Sequence, residues 1–213
     1  MVTPTSRAKR DPATGQSHLL LLRHGQSTWN EAGMWQGWAN PQLSVLGRRQ
    51  AIEASRWLSR TPVGQAAIVS SDLTRAMETA SIMAEHLDLS VSSDFRLRER
   101  HMGQWSGLRT EEIKRTWPRQ FSAYRKDDPL VTPPGGEDTS TLLRRALDSL
   151  TALARRAGAI RTTIVITHGG LIRTVERHLG VTPPEGPVPN LGGRWILARV
   201  DGTLSDAGIA QWP

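Results

Sequence analysis

The sequence of 213 residues contains no cysteine. That excludes disulfide bridges, thiol nucleophiles and cysteine-ligated metals, and it suits a reducing, cytoplasmic setting. Aromatic residues other than tryptophan are scarce: one tyrosine and two phenylalanines stand beside eight tryptophans. An indole is rarely buried completely, so several of these tryptophans are expected to line a cleft or pack beneath loops. No long hydrophobic run is present, and the leucine stretch Leu19 to Leu22 is far too short to cross a bilayer. Residues 1–16 carry Arg7, Lys9 and Arg10 but no apolar signal-peptide core, and their composition predicts a disordered N-terminal extension.

What remains has an ordinary globular balance, 38% hydrophobic and 22% charged, and suits one domain over residues 17–213. The net charge of +7 favours anionic partners. The basic residues form no single stripe, however. Arg48-Arg49, Arg144-Arg145 and Arg155-Arg156 fall in predicted helices, where paired arginines ordinarily make a solvated face. With no RNA-binding aromatic signature and no zinc-finger spacing, nucleic acid is not an expected partner, and neither is a membrane.

Hydrophobic patterning supplies an alternation of strands and helices. Leu19 to Leu22 reads as a strand buried on both faces, as in the middle of a parallel sheet. Ala66 to Ser70 and Thr162 to Thr167 read the same way, and Val91 to Phe95 suggests a further strand. Ser44 caps a predicted helix over Val45 to Ser59, and Ser71 or Asp72 is expected to cap the next one. That helix has the clearest amphipathic stripe, Leu73, Ala76, Met77, Ala80, Met83, Ala84 and Leu87. Thr110 to Lys126 is weakly helical, broken by Trp117-Pro118, Asp128 to Asp138 reads as a loop, and residues 108–137 together resemble a lid or small subdomain. Helices follow over Thr139 to Arg156 and Leu171 to Leu179; a Pro-rich linker leads to a late strand from Trp195 to Val200, and Asp201-Gly202 signals a hairpin.

Each buried-type strand gives way at once to polar residues: Arg23-His24-Gly25 after the first, Ser71 to Arg75 after the second, His168-Gly169-Gly170 after the third. Ligands of open α/β sheets gather at the carboxyl ends of strands, so these three stretches are expected to share one crevice. Arg75 sits in the first turn of its helix, against the dipole's preference, which favours an anion-holding role over a structural one. Two histidines, two arginines and Glu99 fit phosphoryl transfer without a metal. One imidazole attacks phosphorus, cations stabilise the equatorial oxygens, and a carboxyl group protonates the leaving oxygen.

The spaced motifs LLRHGQSTWN (21–30), MWQGWANPQLSVLG (34–47), SSDLTRAMETA (70–80), LRERHMGQWSG (97–107), PGGED (134–138) and THGGLIR (167–173) resemble the histidine phosphatase superfamily, also called phosphoglycerate mutase-like. The resemblance runs from about Leu19 to Leu179. It implies a three-layer α/β/α sandwich with a mainly parallel central sheet. It also implies that His24 is the nucleophile, that Arg23, Arg75 and His168 form the phosphate pocket, and that Glu99 is the proton donor. Asn30, Gln36, Gly37, Arg100 and Gly169 are the implied substrate-binding residues. No metal or organic cofactor is implied, and the family often forms dimers, so a homodimer is an expectation.

The family holds both mutases and phosphatases. Met102 stands where the cofactor-dependent mutases carry tyrosine, Thr110 stands where they carry a substrate-binding lysine, and the stretch before Pro133 is short. These departures favour a phosphatase acting on a sugar phosphate or phosphoglycerate derivative. A 2,3-bisphosphoglycerate-dependent mutase is the alternative, retained because Arg100-His101 is mutase-like. A catalytically inactive anion- or nucleic-acid-binding module is a third reading. Arg100, Arg109, Arg125, Trp35 and Trp105 are candidates for shaping the leaving-group pocket.

Overall fold

The computed structural model describes residues 15–61, 65–126, 128, 131–156 and 161–210. Most of the N-terminal extension therefore lies outside the described residues. Its expected boundary moves: β1 spans Gln16–Arg23, and the Gly15 carbonyl already accepts the Val200 N–H at 3.1 Å.

The centre is one six-stranded sheet in the order β3-β2-β4-β1-β5-β6. Its strands are β1, β2 (Ala66–Ser70), β3 (Val91–Ser93), β4 (Thr162–Thr167), β5 (Gly193–Arg199) and β6 (Leu204–Ala210). β3, β2, β4 and β1 run parallel, while β5 is antiparallel to both β1 and β6. The sheet is thus mainly parallel, as expected from strands that read as unbroken apolar runs.

Alternate leucines of β1 serve opposite faces, because successive side chains on a strand point opposite ways. Leu19 and Leu21 pack with Val165 against Leu142, Ala146, Leu150, Leu171 and Val175 of α6 (Thr139–Arg156) and α7 (Gly169–His178). Leu20 and Leu22 pack with Ile164 and Ile166 against Ala51, Leu58, Ala76, Ala80 and Met83 of α2 (Val45–Arg60) and α3 (Thr74–Leu87). Two helical layers with the sheet between them make the three-layer sandwich. A short α1 (Thr28–Glu31) follows β1. A separate cluster of Met102, Trp105, Ile113 and Phe121, joined by Trp35, Trp117 and Tyr124, holds α4 (Thr110–Thr116) and α5 (Pro118–Arg125). Pro118 opens α5 where its missing N–H costs nothing.

Several expectations are corrected. Neither Ser71 nor Asp72 occupies the α3 N-cap; Leu73 does, without a side-chain cap. Ser71 Oγ accepts the Leu73 N–H at 3.3 Å, and Asp72 is drawn away by Arg98 through two bonds of 2.6 and 2.7 Å. β3 stops at Ser93 because a 3-10 turn over Phe95–Leu97 follows, leaving Phe95 exposed. α7 begins two residues early, at Gly169. The late strand also starts earlier, at Gly193, whose backbone lies so close to the Leu21 carbonyl that a Cβ has no room. Arg145 departs furthest from expectation: it is not a solvated residue but is largely buried against Glu137.

Replacing the fully buried Leu20 by alanine removes packing on the α2–α3 side of the central strand. The expected loss is about 2–5 kcal/mol of unfolding free energy, read as a lower urea midpoint at unchanged slope.

Candidate active site

β1, β2 and β4 are parallel, so their carboxyl ends lie on one edge of the sheet. His24 follows β1 directly and its N–H donates to the Thr167 carbonyl at 3.0 Å, tying it to the end of β4. Its ring makes two bonds of opposite kind. Nδ1 lies 2.7 Å from the Gly25 carbonyl, which can only accept, so Nδ1 carries the proton. Nε2 receives the Arg75 Nε–H at 3.1 Å, so Nε2 holds the lone pair. The two contacts agree on one tautomer.

Arg75 projects from the first turn of α3 and is 1% exposed. Its other nitrogens donate to the Ala39 and Gly37 carbonyls at 2.7 and 2.8 Å. Gly37 reaches this position with φ +51, in the left-handed region where a side chain is disfavoured. Carbonyl dipoles therefore hold the guanidinium, and among the described residues no carboxylate is hydrogen-bonded to it. Burial lowers its pKa to about 10, with the nearby Glu99 acting in the opposite sense. Arg23, at the end of β1, donates to the Val188 carbonyl at 2.6 Å and is likewise depressed by burial.

His168 follows β4, with its ring centroid 5.1 Å from that of His24. Its Nε2 lies 2.9 Å from Ser71 Oγ, and no described residue bonds the buried Nδ1. Burial, reinforced by Arg75 and Arg23, holds both imidazoles well below the ordinary histidine pKa. Glu99 completes the set from the irregular stretch between the two 3-10 turns. Its Oε1 accepts the Arg100 N–H at 2.8 Å and its Oε2 accepts the Gly170 N–H, in the first turn of α7, at 3.0 Å. Among the described residues no group of three or more histidine, aspartate or glutamate side chains is arranged to hold a metal ion.

These groups open onto a cavity of about 1200 Å³. His24, Arg23, Arg75 and Glu99 line it, as do Asn30, Gln36, Gly37, Arg100 and Gly169. His168 sits behind this lining. Asn30 also has a structural duty, since its Oδ1 accepts the Ser27 N–H at 3.1 Å and closes a capping box on α1. Gln36 Oε1 accepts the Ser27 hydroxyl at 2.8 Å. Arg100 donates to Thr139 Oγ1 at 3.0 Å and lies 5.4 Å from the Tyr124 ring centre. Trp35 and Arg125 line the cavity as expected, but Trp105 and Arg109 do not. Trp105 is fully buried in the aromatic cluster, and the Arg109 backbone is taken up in a bridge to Met34. Sequence reasoning missed Tyr124, Arg173 and the wall formed by Thr182 to Val188. By composition that wall is a linker, and its three prolines are the signal that the chain there is stiff.

Comparison with known proteins decides the family. The model of the histidine phosphatase superfamily (branch 1) matches residues 19–191. The chain belongs to this superfamily. It is 37% identical to the glucosyl-3-phosphoglycerate phosphatase of Mycolicibacterium vanbaalenii, over 91% of this chain and 91% of that protein. It is 35% identical to the 2,3-bisphosphoglycerate-dependent phosphoglycerate mutase of Methylobacterium radiotolerans, over 91% and 92% of the two chains. A mycobacterial glucosyl-3-phosphoglycerate phosphatase solved with VO3 superposes with a TM-score of 0.74 at 34% identity, covering 85% of this chain and 92% of that one. Phosphatase chemistry through a phosphohistidine is thus the chemistry of the family in which the chain stands.

Two outcomes follow. A Cβ at Gly170 would collide with the Glu99 carboxylate, so Gly170→Ala must displace it. The expected result is a fall in phosphatase kcat of roughly 10²-fold, with a circular dichroism spectrum like wild type. The depressed histidines set the acid side of stability. Unfolded imidazoles take protons near pH 6.5 while buried His24 and His168 resist them. Their stabilising contribution is therefore complete above about pH 6.5 and falls as the pH drops toward their folded values. Thermal melts from pH 7.5 to 5 should show a smaller pH-dependent decline for His168→Gln than for wild type.

Proposed function

We propose that the chain is a phosphatase that hydrolyses phosphomonoesters of a small metabolite, a sugar phosphate or phosphoglycerate derivative, through phospho-His24. The observation that carries this reading is the double contact on the His24 ring. Gly25 holds the proton on Nδ1 and Arg75 directs its Nε–H at Nε2, so a neutral nucleophile and a phosphate-binding guanidinium share one point.

In the first step the Nε2 lone pair forms a bond to phosphorus as the bond to the leaving oxygen breaks. Arg23, Arg75 and the His168 ring receive the equatorial oxygens, and the Glu99 carboxyl group gives its proton to the leaving oxygen. In the second step water attacks phosphorus, the bond to Nε2 breaks, and Glu99 recovers a proton from that water. Orthophosphate leaves and neutral His24 is restored. His168 suits its part because its buried Nδ1, which no described residue bonds, belongs to a ring 5.1 Å from that of His24. The donors gathered here are cations and N–H groups, so the reading calls for no metal and no organic cofactor. It places Asn30, Gln36, Gly37, Arg100 and Gly169 around the leaving group.

Thr110 supports hydrolysis over the mutase alternative. Where mutases carry a substrate-binding lysine, its hydroxyl accepts the Trp35 indole N–H at 3.0 Å and anchors a cavity wall. In this reading the enzyme works on a small soluble substrate in the cytoplasm, without nucleic acid or membrane. Its expected assembly is a homodimer. No helix among the described residues is long and apolar enough to cross a membrane.

Phosphate release from a panel of sugar phosphates and phosphoglycerates tests the reading. His24→Ala is expected to lose about 10³-fold or more in kcat, as removal of a nucleophile does elsewhere. Rapid acid-free quenching should trap a phosphoenzyme in wild type alone. Equal turnover by His24→Ala overturns the reading. Faster conversion of 3- to 2-phosphoglycerate, dependent on 2,3-bisphosphoglycerate, would assign the mutase instead. Salt-sensitive anion binding with no turnover would assign a binding module.

A further inference from the structure

We infer that Arg145 and Glu137, which take no part in the phosphoryl-transfer steps, are positioning residues that aim the Glu99 carboxyl group at the leaving oxygen. The inference rests on the reading of Glu99 as proton donor.

Glu99 stands in irregular backbone, between the 3-10 turns at Phe95–Leu97 and Gly103–Trp105. No helix or strand ladder satisfies its carbonyls, so donors must come from elsewhere. Arg145, on α6, supplies them. Its Nη1 donates to the Arg96 carbonyl at 2.7 Å and the Arg98 carbonyl at 2.5 Å, and its Nη2 donates to the Glu99 carbonyl at 2.8 Å. Its Nε and Nη2 also donate to the two oxygens of Glu137, each at 2.7 Å.

A guanidinium has five N–H donors, and these five bonds use them all. Arg145 therefore has no donor left for a substrate, and it does not line the cavity. Glu137 extends the brace. Its Oε2 accepts the His101 N–H at 3.2 Å and its N–H donates to the His101 carbonyl at 2.8 Å. One ion pair thus grips the backbone on both sides of Glu99, with its side chains 13% and 9% exposed. The Glu99 carbonyl takes a second donor, the Trp38 indole N–H, at 2.6 Å.

Such a brace is positional because lysine cannot reproduce it. An ammonium has three donors and no planar fork. Once the carbonyls of residues 96, 98 and 99 are released, the Glu99 backbone can shift. A small misplacement of a reacting group costs a large factor in rate.

Leaving-group dependence separates positioning of the acid from a general structural role. 4-Nitrophenyl phosphate departs as a stable phenolate that needs no proton, whereas glycerol phosphate departs as an alkoxide that does. The comparison uses kcat/KM, which reports the step that forms phospho-His24. Full-length Glu137→Gln and Arg145→Lys are expected to lose at least about 10-fold more on glycerol phosphate than on the aryl ester, as expected when general acid catalysis is weakened. Trp38→Phe, at a site 37% exposed, should show a smaller loss in the same direction and carries the test if a buried variant fails to fold.

Equal losses on both substrates by variants with a wild-type near-ultraviolet spectrum would overturn the inference. Glu99→Gln is the control. If it shows the selective loss and the Glu137 and Trp38 variants do not, only the positioning role fails. If Glu99→Gln itself loses both substrates equally, the proton-donor reading fails first.

Discussion

The contact between Arg75 and His24 is the constraint around which the site is arranged. Burying a guanidinium is costly unless its donors are satisfied. Here the Gly37 and Ala39 carbonyls take Nη2 and Nη1, and Nε donates to His24 Nε2. Neutral dipoles satisfy hydrogen bonding without cancelling charge. With Arg23 close enough to depress the same imidazoles, the pocket keeps positive charge beside both rings. Burial, with the same charge behind it, keeps both histidines neutral, and a neutral imidazole is the form that can attack phosphorus.

The fold delivers this arrangement with few moving parts. Three parallel strands end on one edge of the sheet and each hands over to a polar residue: His24 after β1, Ser71 after β2 and His168 after β4. Ser71 contacts His168, the Thr167 carbonyl receives the His24 N–H, and the Gly25 N–H donates to Thr79 Oγ1 at 3.1 Å. The strand ends are thereby cross-linked to one another and to α3. Glu99 is the exception, lying on irregular chain, and it is held by donors from Trp38, Arg145 and Gly170.

The outer part of the cavity is built on different principles. Trp35 packs edge-on against Trp105, Phe121 and Tyr124, with ring centres 5.7 to 5.8 Å apart, and its indole is fixed by Thr110. This aromatic cluster gives α4 and α5 a small core of their own. The opposite wall is the proline-rich stretch from Thr182 to Val188, fastened by Arg23 at Val188 and by Arg173 at Gly186. The histidine end of the cavity is thus formed by the sheet, and the outer end by segments that pack apart from it.

Much of this was legible in the residues themselves. The four consecutive leucines announce a doubly buried strand because only the centre of a parallel sheet offers apolar contact on both sides. The turn from apolar to Arg-His-Gly marks its functional end. The spacing of Leu142, Ala146 and Leu150 places α6, and Ser44 places the start of α2. Local periodicity and polar residues at strand ends therefore determined the alternation of buried strands with amphipathic helices and the chemical types at the site, while the three-layer sandwich was what the motifs' resemblance to the superfamily implied. Only the tertiary structure decided that Arg75 meets Nε2 of His24, that the proline-rich linker is a cavity wall, that Trp105 is core rather than pocket, and that Arg145 is a buried brace while its neighbour Arg144 is exposed. Those outcomes depend on which face of an element meets which partner across tens of residues, and adjacent positions on one helix look alike until that packing exists.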